Sequence, residues 1–124
     1  MKKVILASVL AAAAISAPMS AQAASSSQVF CSGTSGSGNA ATITASTNFV
    51  KSVFTPKCSS NTHVTGVDGD SYYAVGAGSI KGKTRYAGGS GGGAVVAAGS
   101  CSAPTGCVAS DASTAMTSTY AVTS

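Results

Sequence analysis

The side chains of this chain that could carry out acid–base or nucleophilic chemistry are few and widely spaced. Its 124 residues contain one histidine, His63, and no glutamate, so its acidic side chains are Asp68, Asp70 and Asp111. A Ser-His-Asp triad would require the fold to bring one of these aspartates to His63. Because acid–base pairs and activated nucleophiles are otherwise missing, we predict no catalytic residues and no enzymatic activity.

Three further motifs resemble ligand sites but lack essential parts of them. The Asp68-Gly69-Asp70 segment resembles the start of a calcium loop without the closing glutamate. Residues 77–84, AGSIKGKT, resemble a phosphate-binding loop, but Ala77 replaces the first glycine and a glycine run follows where a helix is needed. The four cysteines contain no C-x-x-C pair of the kind that zinc sites use. We therefore predict no metal and no cofactor, and we interpret the first two motifs as turns.

A basic segment and the glycine run after it form the most unusual part of the sequence. Lys81, Lys83 and Arg85 alternate along the chain, so in a strand they would share one face and Tyr86 would lie on the other. Such charges discourage unwanted edge pairing, but they can also contact an anionic polymer or a glycan. The glycines indicate either a mobile loop or a close contact between chains. The possible contact surface comprises Lys81, Lys83, Arg85, Tyr86, Gly88, Gly89, Gly91, Gly92 and Gly93.

Residues 1–23 have the three regions of a secretory signal peptide. Two lysines precede an apolar run, and Ala21-Gln22-Ala23 forms a small-x-small cleavage site. We expect cleavage after Ala23, which leaves residues 24–124 as one small domain in the periplasm, at the cell surface or outside the cell, with no membrane span. Five basic residues then remain against three aspartates, a net charge of +2 compared with +4 for the whole chain. This modest charge argues against nucleic acid as a partner.

The four cysteines, Cys31, Cys58, Cys101 and Cys107, predict two disulfides, because their number is even and an exported chain meets oxidising conditions. Three pairings are possible. We favour Cys31 with Cys58 and Cys101 with Cys107, since the second pair closes a short loop that contains Pro104 and Gly106. The mature chain has few large apolar residues, so these bridges would supply much of its stability.

The elements that would position these residues are short. Alternation in residues 71–80 places Tyr73, Val75 and Ala77 on one face of a strand, and residues 61–67, 84–89 and 93–101 are also strand-like. The sequence therefore predicts a mainly β (or small α+β) fold: a short antiparallel sheet or sandwich of five or six strands, stapled by two disulfides. Residues 40–45 are a further strand candidate.

Two other segments have patterns that predict one element each. Between Thr47 and Phe54 the apolar residues fall on one helical face, which predicts one short helix that Pro56 ends. Near the C-terminus, Met116, Ser118, Tyr120 and Val122 recur with period two, and their Thr- and Val-rich surroundings predict a terminal strand, with Asp111 capping at most a single turn before it.

The function predicted from these features is structural. Small side chains, low charge and unpaired strand edges suit a protein that packs against copies of itself, so we predict an exported bacterial structural protein, a self-assembling subunit of a surface filament, coat or biofilm matrix. The composition and the early pair Cys31 and Cys58 are loosely similar to those of pilus subunits assembled by strand donation, although no donor segment matches. The alternative is a monomeric binding or inhibitory module that contacts an acidic or glycan partner through the turn from Lys81 to Tyr86.

Overall fold

The computed structural model describes residues 26–43 and 46–123. The predicted signal peptide, residues 1–23, lies outside the described residues. The elements are the strands β1 (Ser26–Ser32), β2 (Gly36–Ser37), β3 (Lys57–Cys58), β4 (Thr62–Asp68), β5 (Tyr73–Ser79), β6 (Thr84–Gly89) and β7 (Val96–Ser100), and the helix α1 (Ala109–Thr123). The predicted mainly β class is confirmed.

The sheet is a five-stranded antiparallel sheet with the order β1-β4-β5-β6-β7, and β2 and β3 form a separate two-stranded ladder. Consecutive strands from β4 to β7 are neighbours, because each pair is joined by a turn that glycine or aspartate permits. Asp68 and Tyr73 pair across the first turn, and Asp70 adopts the left-handed conformation there with a φ of 64°. The predicted turn at Asp68-Gly69-Asp70 is thus confirmed.

The two faces of this sheet are different. Burial alternates along β5, as the period-two pattern predicted. Ala74, Gly76 and Gly78 face α1 and the disulfide loop that precedes it, and we call this the inner face. Tyr73, Val75 and Ala77 lie on the opposite, outer face.

The C-terminal segment is a helix, so the predicted terminal strand there is wrong. Ala112, Ala115 and Met116 are buried, and their i, i+3, i+4 spacing forms one stripe that packs on β5. Asp111 lies in the first turn, and its carboxylate accepts a hydrogen bond from the Val108 backbone N–H at 2.9 Å. This hydrogen bond from the residue before the helix to a side chain of the first turn is one half of a capping box. The β propensity of Thr and Val is overridden by this packing.

The predicted helix between Thr47 and Phe54 is also wrong, because the segment forms irregular turns instead. A two-turn helix is unstable without packing, and here other partners take its backbone groups. The N–H groups of Phe49 and Val50 bond to Asp68, and the Phe54 carbonyl accepts from the Ala41 N–H. The Phe54 ring stacks on Phe30 with a centroid distance of 5.6 Å. Residues 40–43 form no strand, and residues 44 and 45 lie outside the described residues.

Both predicted disulfides are present. Cys31 is bonded to Cys58, which joins β1 to β3, and Cys101 is bonded to Cys107 just before α1. The short loop between Cys101 and Cys107 is tied to the β5–β6 turn, because the Cys107 N–H donates to Ser79 and the Cys101 N–H donates to Lys83. Two disulfides fit an oxidising compartment. In the part of the chain that the structure describes, no helix is long and apolar enough to cross a bilayer.

Candidate interaction surface

The outer face carries an open apolar groove of about 550 Å³. Its floor is formed by β5 and β6, through Val75, Ala77, Tyr86 and Gly88. One wall is the loop of residues 46–56, which contributes Phe49, Val50 and Phe54, and the other is the β6–β7 loop, which contributes Ser90, Gly93 and Val95. We call this site the outer groove. Its lining is almost entirely carbon, so it favours apolar groups over charged ones.

Asp68 holds the first wall in place. Its buried carboxylate accepts backbone N–H bonds from Phe49 at 2.8 Å, Val50 at 2.9 Å and Asp70 at 3.0 Å. Burial acts to raise the pKa of Asp68, but these three bonds and one from the Asn48 side chain outweigh it, so the pKa lies below its usual 3.8. Ionised Asp68 therefore links the end of β4 to the loop that forms the groove wall.

Acid is expected to loosen this wall. A carboxylate whose pKa is lowered by folding contributes stability above its unfolded pKa of 3.8 and loses it as the pH falls through the lower folded value. The wild-type free energy of unfolding should therefore fall between pH 5 and pH 2. In Asp68→Asn it should already be reduced at pH 7 and should decline less over the same interval, as measured by urea denaturation at each pH.

A matched control for that experiment is Asp70→Asn. It removes one charge from the same turn but leaves the Asp68 carboxylate, and asparagine tolerates the left-handed backbone at this position. Asp70→Asn should retain the wild-type response to acid. An Asp68→Asn variant with unchanged stability at pH 7 would show that these hydrogen bonds do not hold the wall.

Tyr73 provides a polar group at the edge of the outer groove. Burial, and secondly the negative charge of Asp68 on the neighbouring strand, raise the pKa of Tyr73 to about 12. The phenol is therefore protonated at neutral pH. It adds no charge to the groove, so the outer groove stays neutral and apolar in the pH range in which proteins function.

Among the described residues, many of the large apolar side chains are exposed. Buried positions are mainly alanines and disulfide cysteines, with Phe30, Val67 and Met116 as the larger members. The exposed ones include Phe49, Val53, Phe54, Ile80, Tyr86, Val95, Val96 and Val108. Single exposed apolar residues are normal on protein surfaces, but those that lie together, as in the outer groove, form a surface on which a partner could bind.

The basic segment does not form the predicted stripe. Lys81 and Lys83 are exposed in the turn before β6, so they do not alternate with Arg85 along a strand. Arg85 lies on the inner face, where its Nη1 is 3.4 Å from Asp111 Oδ1 and its Nε donates to the Ala98 carbonyl. Tyr86 does lie on the opposite face, as predicted, and lines the outer groove. The basic contact surface is thus reduced to two lysines.

Asp111 is the ion-pair partner that holds the half-buried Arg85 on the inner face. Its carboxylate also accepts bonds from the backbone N–H and the hydroxyl of Ser102, at 2.9 and 3.1 Å. The Val108 backbone N–H is the largest influence that lowers the pKa of Asp111; burial opposes it, and Ser102 and Arg85 lower the pKa further. Asp111 therefore joins α1, the disulfide loop and β6.

The glycine run is divided between a strand and a turn. Gly88 and Gly89 end β6, and Gly91 to Gly93 lie in the turn before β7. Gly92 and Gly93 have φ values of 92° and 95°, which other residues rarely adopt. On the outer face, a Cβ at Gly88 would lie 3.3 Å from Val95, so the loop folds back over β6 here. The run therefore shapes the second wall of the outer groove.

The remaining candidates for chemistry are dispersed or occupied. His63 lies near the start of β4, and Asp68 lies at its end, about 17 Å away along an extended strand. The Nδ1 atom of His63 is buried without a hydrogen-bond partner among the described residues.

The other candidate sites do not have the groups that a ligand would need. Cys101, Cys107 and Asp111 are close enough to one another for a metal site, but both sulfurs are in the disulfide and the Asp111 carboxylate accepts hydrogen bonds from Ser102. Residues 77–84 are the end of β5, a turn and the start of β6, not a strand followed by a helix.

Sequence reasoning missed most of the outer groove. It placed Tyr86 and three of the groove's glycines on a contact surface, but it put Phe49 and Phe54 on the apolar face of a helix and Val75 on one face of a strand, without bringing them together. The sequence contained one indication of this surface. Phe49 and Phe54 are too few to cover both a helix face and a sheet, so some apolar surface had to remain exposed.

No family model, no curated protein and no solved structure matches this chain.

Proposed function

We propose that the protein is an exported structural subunit that assembles with copies of itself into a filament, coat or matrix. The observation that carries the proposal is the outer groove, an open apolar surface on a chain whose described core is built largely from alanine and cystine. A neutral groove with one aromatic wall can bind apolar side chains of a neighbouring molecule, and the complex then buries apolar surface that the isolated domain leaves exposed.

Three further features support the proposal. Charged residues make up 8% of the sequence, so few charges would be desolvated when copies pack together. One disulfide ties β1 to the two-stranded ladder and the other closes the loop before α1, and such bonds persist in the oxidising conditions outside the cell. The pairing of Arg85 with Asp111 leaves the basic turn with less charge for an anionic ligand, which favours self-assembly over the alternative of a glycan-binding module.

The test is the size of the purified mature protein and its change when the outer groove becomes charged. We expect wild type to form polymers, detected by analytical ultracentrifugation and negative-stain electron microscopy. Tyr86→Lys places an ammonium in the groove at a position that is 47% exposed, so the fold tolerates it, and should reduce the polymer to small species.

The matched control is Val53→Lys. Val53 is 66% exposed and does not line the outer groove, so this variant adds the same charge and should assemble like wild type. Circular dichroism and a mass consistent with two disulfides would show that both variants fold. A wild-type protein that stays monomeric at high concentration, with no filaments in washes of the cells that produce it, would refute the proposal.

A further inference from the structure

The two edge strands of the five-stranded sheet differ in whether another segment of the chain covers them. At the β1 edge, the Asn39 backbone N–H donates to the Phe30 carbonyl at 2.9 Å, and the Asn39 side chain donates to the Val29 carbonyl at 2.8 Å. The Gln28 side chain bonds to Ala40 and Thr42 in the same segment. The central part of this edge is therefore covered by the chain itself, which prevents pairing with another molecule.

The β7 edge has no such cover. Within residues 26–43 and 46–123, β7 pairs with β6 on one side and with no segment on the other. Residues 94–100, AVVAAGS, contain no charge and no proline, which are the usual means of blocking an edge. Val95 and Val96 are 71% and 55% exposed there. This edge thus presents free backbone groups together with apolar side chains.

We propose that the β7 strands of two copies pair antiparallel about a two-fold axis, so that two five-stranded sheets become one continuous sheet. This inference rests on the proposed function and names one of the contacts that assembly would use. With one edge covered, edge pairing cannot continue from copy to copy. It closes after two molecules, each contributing the same strand.

The position of the axis follows from the bulge in β7. Pairing with β6 shifts register between Arg85 and Tyr86, which leaves Ala98 as the extra residue of β7. Before the bulge, β7 keeps regular register at Val96 and Ala97, and we place the two-fold axis beside Val96. Val96 then lies opposite its own counterpart, and an uncharged edge brings no like charges together.

Space for the paired side chains is present beside the edge. A hollow of about 530 Å³ lies beside β7, lined by the end of β6, the glycine-rich turn and β7, with Ser118 as its one residue from the described part of α1. Val96 pairs with Ala87, which is buried, so its side chain lies on the inner side with the hollow. The counterpart valine enters this space when the two edges pair, which removes both valines from water.

The proposal is tested with two opposite charges at one position. Val96→Lys and Val96→Glu each place like charges opposite each other, and each should weaken the dimer roughly tenfold, measured by sedimentation equilibrium. An equimolar mixture should restore dimers that native mass spectrometry identifies as one chain of each kind. Val53→Lys mixed with Val53→Glu is the control and should behave like wild type throughout.

The outcomes separate this contact from the proposed function. If mixing the two variants restores dimers, the β7 contact is supported. This holds even if the wild-type protein forms dimers and no polymer, a result that would contradict the proposed function. Assembly that both Val96 variants leave unchanged overturns the β7 contact, while loss of polymer in Tyr86→Lys would still support the proposed function. A monomeric wild-type protein overturns both.

Discussion

Replacing Cys31 and Cys58 together by serine is expected to lower the free energy of unfolding by about 3 kcal/mol. The bridge spans 27 residues, and releasing it returns that loop entropy to the unfolded chain. Cys31 is also buried against Phe30 and Ala41, so a serine hydroxyl there adds a desolvation cost. Chemical denaturation followed by tyrosine fluorescence and circular dichroism measures the change, which is a large part of the 5–15 kcal/mol that stabilises most domains.

The matched control replaces Cys101 and Cys107 by serine. This bridge spans 6 residues, so its loss should cost about 1 kcal/mol less than loss of the longer bridge. Cys107 and Cys31 are both buried, which makes the local packing effects comparable. A short-loop variant as unstable as the long-loop variant would show that loop closure is not the main contribution of the Cys31–Cys58 bond.

The strands from β4 to β6 were predictable because local signals agreed with the tertiary environment. The side chains around Val75 alternate between the two faces of the sheet, and the burial along β5 alternates with them. The Asp68-Gly69-Asp70 turn contains residues that tolerate its left-handed backbone geometry. The disulfide pairing was predictable because the short separation between Cys101 and Cys107 favoured one of the three arrangements.

The wrong helix and the wrong terminal strand have a common physical cause. The segment from Thr47 to Phe54 has a helical apolar face, but Asp68, 19 residues beyond Phe49, takes its N–H groups. The C-terminal segment has strand-like propensity, but Ala112, Ala115 and Met116 supply a buried apolar stripe whose backbone lies close to Gly76 on the inner face of the sheet. In each case a distant partner decided the structure, and a local pattern does not contain that partner.

The candidate site was only partly predictable for a similar reason. Tyr86 and the glycines belong to one hairpin, so a local reading could place them together. Phe49 and Phe54 reach the groove only because Asp68 and the Phe30 ring hold their loop over the outer face. The apparent basic stripe was misleading, because the residue that removes Arg85 from it, Asp111, lies 26 positions further along the chain.

Gly76→Ala is expected to displace α1 from the sheet. A Cβ at Gly76 would overlap the carbonyl oxygen of Ala112 and crowd the backbone nitrogen of Met116, and these backbone atoms cannot move without shifting the helix. Overpacking of this kind costs about 1–3 kcal/mol, and contact with backbone places this site at the upper end. Unfolding by urea measures the loss, and hydrogen exchange should show faster exchange of the α1 amides than in wild type.

Gly82→Ala is the matched control for this helix contact. Gly82 lies in the β5–β6 turn, where a new methyl would meet the Ser79 Cβ at 3.3 Å and no helix backbone. It should therefore change stability little and leave exchange in α1 unaltered. The two variants also test assembly, because α1 contributes Ser118 to the hollow beside β7. If the position of α1 keeps that hollow open for a second copy, Gly76→Ala should weaken self-association as well as the fold. Equal stability and equal amide exchange in Gly76→Ala and Gly82→Ala would show that α1 does not pack on Gly76.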